Sequence, residues 1–231
     1  MTVTVHHLNN SRSQRILWLL EELGADYELV TYQRDAETNL APAELKQVHP
    51  LGKSPVIEDD GLMISESGAI IQYLCERYGG ENWLPAPDGE EHIRHLEWMQ
   101  FGESSFFVPV MLKIYAGRLG DAAAPLMPRV EEQLAAHVTY AEEHISNDLH
   151  FCGEGWSASD VMMSFPAEIA VMQGYAEKAP KLACLVEAVH ARPAWQRARE
   201  RGGPQRRAQF YRLGPGLPRS GTAERRPQER G

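Results

Sequence analysis

Cysteine is scarce in this chain: Cys75, Cys152 and Cys184 are the only three, odd in number and far apart. That count excludes a disulfide framework and fits a reducing compartment. No Cys-x-x-Cys pair is present and no cysteine lies near the first strand, which excludes a thioredoxin-type redox centre. A glycine-rich phosphate loop is also missing. No apolar run approaches the roughly 20 residues that cross a bilayer. Met1 to Asn10 has neither the basic start nor the long apolar stretch of a secretory leader. Positive charge is in deficit, with a net charge of −9, so broad affinity for nucleic acid or a membrane surface is not expected. His92 and His95 stand three apart without a third ligand, and no metal site is expected from them. There is no internal repeat. The expectation is a cytoplasmic protein with no nucleic-acid, membrane or metal partner.

The 231 residues are 43% hydrophobic, enough for one large core or two small ones. Thr2 to Leu8 alternates like a strand, and Asn9-Asn10-Ser11 reads as a turn or cap. Ile16, Leu19, Leu20 and Leu23 then repeat at helical spacing until Gly24. Tyr27 to Tyr32 is a second strand, and Pro42 to Val48 a short helix before the loop His49-Pro50-Leu51-Gly52. Strands at Pro55–Glu58 and Leu62–Ile64 flank the hairpin turn Asp59-Asp60-Gly61, and Ile70, Tyr73, Leu74 and Tyr78 mark a further helix. The order β-α-β-α-β-β-α predicts an α/β unit with a mixed four-stranded sheet.

After Gly79-Gly80 and Pro85-Ala86-Pro87 the chain changes character, and no strand is expected between Gly89 and Glu200. Helices are expected at about 89–118, around Val130 to Ile145, and at about 159–175, 178–190 and 193–201. Ser157 and Asp160 are spaced as a capping box, and Pro166 inside the following helix predicts a kink or a later start. The domain reading is therefore 1–80 α/β, 89–203 all-α, and 204–231 a tail. The tail carries seven Arg against two Glu and too little apolar surface to order itself.

Two short segments carry the chemistry. Ser54-Pro55-Val56-Ile57 places a proline at the entrance of a strand, where its missing N–H costs no ladder bond. An X-Pro bond is the common site of a cis peptide, which here would turn the Ser54 main chain outward as an edge for a peptide ligand. Ser65-Glu66-Ser67-Gly68 lies at a helix start, whose N–H groups and partial positive charge suit a carboxylate, while Glu66 suits an ammonium group. A small peptide with a free amino-acid end fits both. The other reading of Glu66 and Ser67 is a helix cap with an acidic first turn.

Four blocks together resemble the cytosolic glutathione S-transferase family: Leu8 to Arg15, His49 to Val56, Glu66 to Ile70, and Ser157 to Asp160. The likeness spans about residues 3–203 and is densest toward the serine-type branch, within a fungal and bacterial subgroup. It implies a thioredoxin-like N-terminal domain, a helical C-terminal domain, a homodimer, and glutathione as co-substrate without a further cofactor. Glutathione has the shape the two segments fit. The resemblance assigns thiol activation to Ser11, with Asn10 and Ser13 as rivals. A hydroxyl that donates to sulfur favours the thiolate. A depression of two units from ~8.5 needs roughly 2.7 kcal/mol, and one charge-assisted hydrogen bond supplies roughly 1.5–3 kcal/mol. Ser11 is equally placed to be only an N-cap. Glu66 and Ser67 would hold the two ends of the γ-glutamyl group, the Ser54 main chain the cysteinyl part, and Lys53 the glycyl carboxylate, unless it is a solvated surface lysine. Arg15 reads as structural. Phe107, Met111 and Tyr115, four apart, share a helix face that would line the pocket of an apolar electrophile, although such spacing equally marks core. The implied activity is conjugation of the thiolate to an electrophilic carbon, with peroxide reduction as a second outcome. The alternative is a non-enzymatic binding or partner-recognition module on the same fold, and isomerase or dehalogenase chemistry is a further variant.

Overall fold

In the computed structural model, which describes residues 2–36, 38–79 and 82–203, β1 (Val3–Leu8) turns Val3, Val5 and His7 to the same buried side. β2 (Tyr27–Tyr32) lies parallel to it, in register from Val3 with Tyr27 to Leu8 with Tyr32. Parallel neighbours need a crossover, and α1 (Ser13–Leu23) supplies it. Gly24 ends that helix at φ +63°, a left-handed conformation open to glycine, and its N–H reaches the carbonyl of Leu20. α2 (Leu45–Val48) is a single turn, shorter than the sequence expectation. β3 (Val56–Asp59) and β4 (Leu62–Ser65) complete a mixed sheet of order β2-β1-β3-β4, and α3 (Ser67–Tyr78) follows. Asp60 and Gly61 both have positive φ, as a two-residue turn between twisted antiparallel strands requires.

The remaining elements are α4 (Glu90–Gln100), α5 (Phe107–Gly117), α6 (Met127–His144), α7 (Ala158–Ala170), α8 (Pro180–Ala191) and α9 (Pro193–Gly202). The expected single helix 89–118 is two helices joined by a π-helical turn, Phe101–Ser105. At Gly102 within that turn α7 comes close: a Cβ there would stand 2.9 Å from Met162 Cγ. The expected tail, 204–231, and Gly80 lie outside the described residues.

Pro166 does not delay the start of its helix. α7 starts at Ala158 and runs through Pro166 to Ala170 without a break. Proline has no N–H, so the carbonyl four residues earlier, on Met162, loses its helical donor. Arg15, buried at 1% exposure, reaches across from α1 and donates Nη1 to that carbonyl at 2.8 Å. Its Nη2 pairs with Glu103 in the π-helical turn. The orphaned carbonyl is thus satisfied from another helix, and Arg15 has the structural role expected of it. α1 sits at the centre of the molecule, packed against α3, α7 and α9. Its Trp18 is fully buried, edge-on to Trp156 and Trp195 at ring centroid distances of 5.9 and 5.8 Å.

Candidate functional site

The register brings the expected site segments to one end of the sheet. β1 and β3 run antiparallel with His6 opposite Val56, so Ser54 falls level with Leu8. There Pro55 offers no N–H, and the Ser54 side chain continues the ladder instead. Its Oγ accepts from the Leu8 N–H at 3.1 Å and donates to the His6 carbonyl at 2.8 Å. The Ser54–Pro55 bond is cis. With the hydroxyl spent on β1, the Ser54 main-chain N–H and C=O take no backbone hydrogen bond among the described residues. Val56 pairs with Ser65, the last residue of β4, so Glu66 and Ser67 follow in the chain at the same end of the sheet where Ser54 and Pro55 lead into β3.

The start of α3 is strained and open. Glu66 has φ +68° and ψ 122°, a region that costs a non-glycine residue about 1–3 kcal/mol. No side chain caps the helix, so the cap reading of Glu66 and Ser67 is not what the structure contains. The first intrahelical bond, from Ile70 N–H, goes to the Glu66 carbonyl. The N–H groups before it point out of the helix end. Glu66 is exposed and Ser67 buried at 3%.

At the end of β1, Asn10 has φ +51°, a conformation asparagine tolerates. Ser11 follows, 5% exposed. Its Oγ accepts the Ser13 N–H at 3.2 Å, but the residue at the N-cap of α1 is Arg12, and no side chain caps the helix. The Ser11 Oγ also lies 2.7 Å from Ser13 Oγ. Ser13, fully buried, turns its hydroxyl inward, 2.8 Å from His7 Nδ1 and 3.3 Å from the Leu8 carbonyl. His7 Nε2 lies 3.1 Å from the carbonyl of Gly202, the last residue of α9. Of the three rivals, Ser13 has its hydroxyl fully engaged in the interior, whereas Ser11 stands at the surface end of the chain of hydroxyls. Sequence reasoning passed over His7, although its alternation with Val3 and Val5 already placed it on the inner face.

Arg12, also unremarked in the sequence, sits beside Ser11, pairs with Glu103 and lies 5.2 Å over the Phe107 ring. Phe107 is buried against Phe165, Met111 is partly buried, and Tyr115 is 55% exposed beneath Arg118. The expected shared face therefore splits: Phe107 lies near Arg12 and Ser11, while Tyr115 is turned to solvent. Lys53 is exposed. A cavity of about 520 Å³ lies between α4 and α6, lined by Trp98, Phe101, His137 and Tyr140 and so apart from Ser11 and Ser54.

Cys184 is an exposed free thiol, whereas the other two cysteines and His95 are held by their surroundings. Burial pushes the Cys75 thiol up to about 12. Burial and the Glu91 carboxylate do the same to Cys152. His95 is engaged on both nitrogens, by Ser159 at 2.9 Å and Gln72 at 3.0 Å, and burial lowers its pKa. Among the described residues no group of three His, Cys, Asp or Glu could hold a metal ion, and no helix is long and apolar enough to cross a membrane.

Residues 1–76 match the family model described as the N-terminal domain of glutathione S-transferase. Glutathione S-transferase 3 of Schizosaccharomyces pombe is 32% identical, covering 86% of this chain and 87% of that protein. Glutathione S-transferase 1 of Saccharomyces cerevisiae is 28% identical over 86% of this chain and 94% of its own length. The crystal structure of a glutathione S-transferase from Actinobacillus pleuropneumoniae superposes with a TM-score of 0.80 at 32% identity, covering 91% of this chain and all of that one. The likeness thus extends beyond the first domain into the helical second half. This chain, with its thioredoxin-like first part and helical remainder, belongs to the glutathione S-transferase family.

Proposed function

We propose that the protein conjugates the thiolate of glutathione to small electrophiles, with Ser11 as the serine that stabilises the thiolate. One observation carries the reading: three features that separately suit parts of one tripeptide meet at one end of the sheet. These are the unladdered Ser54 main chain, the uncapped N-terminus of α3 with Glu66 and Ser67, and the Ser11 hydroxyl. The γ-glutamyl carboxylate would take the N–H groups and Ser67 hydroxyl at the helix end, and its ammonium group Glu66. Ser54 would pair with the cysteinyl residue as an added strand, and the exposed Lys53 would meet the glycyl carboxylate. The cysteinyl sulfur then faces Ser11, at the surface end of the hydroxyl chain. Phe107, under the Arg12 guanidinium, is the side chain of α5 best placed to meet the electrophile. Met111 would extend that wall. Tyr115 lies further out.

Catalysis in this reading is orientation plus stabilisation of an anion, with no covalent enzyme intermediate. We assign 1–80 to glutathione binding and 89–203 to the electrophile. The three free cysteines support a cytoplasmic setting. Peroxide reduction by the same thiolate is a secondary activity. The relatives are named as transferases, which lends nothing to a non-enzymatic module. Ser11→Ala is expected to lower kcat at least tenfold with an aryl halide and glutathione, a loss of about 1.4 kcal/mol or more in the transition state. Full activity in Ser11→Ala would refute the assignment.

A homodimer fits the exposed apolar side chains Leu62 and Met63 on edge strand β4 and Ile93 and Leu96 on α4. Light scattering is expected to give twice 25.9 kDa; the monomer mass would rule it out.

A further inference from the structure

We infer that the thiol proton of bound glutathione is carried inward through Ser11 and Ser13 to Nδ1 of His7, so that formation of the thiolate and of a His7 imidazolium are one event. The inference rests on Ser11 acting on the glutathione thiol. It starts from hydrogen bookkeeping along four buried groups. The Gly202 carbonyl can only accept, so His7 Nε2, 3.1 Å away, carries the hydrogen. In a neutral ring Nδ1 is then a bare acceptor, and the Ser13 hydroxyl 2.8 Å away donates to it in preference to the Leu8 carbonyl at 3.3 Å. The Ser13 oxygen is left as an acceptor, so the Ser11 hydroxyl at 2.7 Å donates to it. In this state the Ser11 proton points into the protein. Its oxygen, holding only the Ser13 N–H, has one lone pair left for an incoming S–H.

A Ser11 hydroxyl facing inward cannot stabilise a thiolate. It faces outward with every hydrogen bond of the row kept when every proton moves one place. The S–H bond breaks and the proton joins the Ser11 oxygen. The former Ser11 proton passes to the Ser13 oxygen, and the Ser13 proton bonds to His7 Nδ1, where the ring nitrogen supplies the electron pair. The products are a thiolate that accepts from Ser11 and an imidazolium that donates to Ser13 and Gly202. No heavy atom has to move, and no co-reactant is needed. Once the thiolate has been consumed in the conjugate, the proton returns by the same two hydroxyls to the water that replaces the sulfur.

The energetics are in reach. Proton transfer from an ordinary thiol to an ordinary imidazole is about a hundredfold uphill. The transfer turns the bonds at the sulfur, at Nδ1 and at Nε2 into charge-assisted ones, each roughly twice as strong as its neutral counterpart. The acceptor of Nε2 is moreover the terminal carbonyl of the ten-residue helix α9, the end at which a cation is favoured. Of the ring's contacts, those with Ser13 from α1 and Gly202 from α9 are to groups that do not ionise. Charged side chains between α1 and α9 pair with one another: Glu21 with Arg197 and Arg201, and Glu22 with Arg192.

Histidine 15N NMR on the wild-type protein tests this, with the His7 resonance assigned by its loss in His7→Asn. The free protein and its complex with S-methylglutathione, which has no thiol proton, are expected to show the neutral ring with hydrogen on Nε2. The glutathione complex, at a pH where thiolate absorbance shows the bound thiol ionised, is expected to show imidazolium. A ring that stays neutral in that complex overturns the relay. Two variants give a second reading. Ser13→Ala breaks the row, and His7→Asn keeps an acceptor for Ser13 but takes no proton. Each is expected to hold about tenfold less thiolate at neutral pH at little-changed glutathione affinity, and Ser13→Thr to restore it. Unchanged ionisation in both also overturns the relay. Unchanged ionisation in Ser11→Ala overturns instead the reading on which it rests.

Discussion

Two helices of this protein begin with similar residues and use them oppositely. α7 opens with Ser157-Ala158-Ser159-Asp160, and α3 opens with Ser65-Glu66-Ser67. At α7 the start is closed. Asp160, fully buried, accepts the Ser157 N–H and hydroxyl, each at 2.8 Å, through one oxygen and the Phe151 N–H at 2.8 Å through the other. His150 lies 3.6 Å away. At α3 the acidic residue is exposed, its backbone is strained and no side chain caps the helix. The difference teaches what each start is for. A carboxylate that satisfies interior donors stabilises the fold. A helix end left with free donors is destabilising by itself and is worth keeping where a ligand supplies the missing acceptor.

The largest effect is expected at the closed end. Asp160→Ala would strand three buried donors at about 1–3 kcal/mol each. The melting temperature should fall by roughly 10 °C, at about 2–4 °C per kcal/mol for a chain of this size. A fall of less than about 3 °C in a thermal melt would mean that the α7 start is not the anchor described.

A smaller loss is expected one turn further along α7. Arg15→Met removes the donor that replaces the missing N–H of Pro166 and should cost about 2–3 kcal/mol. Adding Pro166→Ala returns an N–H to the Met162 carbonyl, so the double variant should melt above Arg15→Met. If Pro166→Ala destabilises both backgrounds equally, the carbonyl is not what couples the two residues.

The elements and their order were legible because the apolar spacing, Gly24 and Asp60-Gly61 act locally. So were the corners of the site, since Ser54-Pro55 and Glu66-Ser67 carry their meaning in adjacent residues. What was not legible depends on partners distant in sequence. The unbroken α7 depends on Arg15, 147 residues away from Met162, and no local rule reveals that donor. The π-helical turn at Phe101–Ser105 lies where Met162, distant in sequence, approaches Gly102. The sequence alone leaves both readings of Glu66 and Ser67 open, a cap and a binding site, and it is the backbone conformation that separates the two. His7 passed as a strand residue because its link to Gly202 spans 195 positions.

The measurement that tests the account most directly is calorimetric titration of glutathione into Ser67→Ala and Asp160→Ala side by side, each with a thermal melt. A lost contact to a charged ligand end costs roughly 1.5–3 kcal/mol, so Ser67→Ala should bind glutathione about tenfold or more weakly. Its melting temperature should stay close to that of the parent, since no cap is removed. Asp160→Ala, measured below its melting transition, should show the reverse: near-parental affinity and a much lower melting temperature. If Ser67→Ala instead binds glutathione as the parent does and melts lower, the start of α3 is a cap after all and not the seat of the ligand.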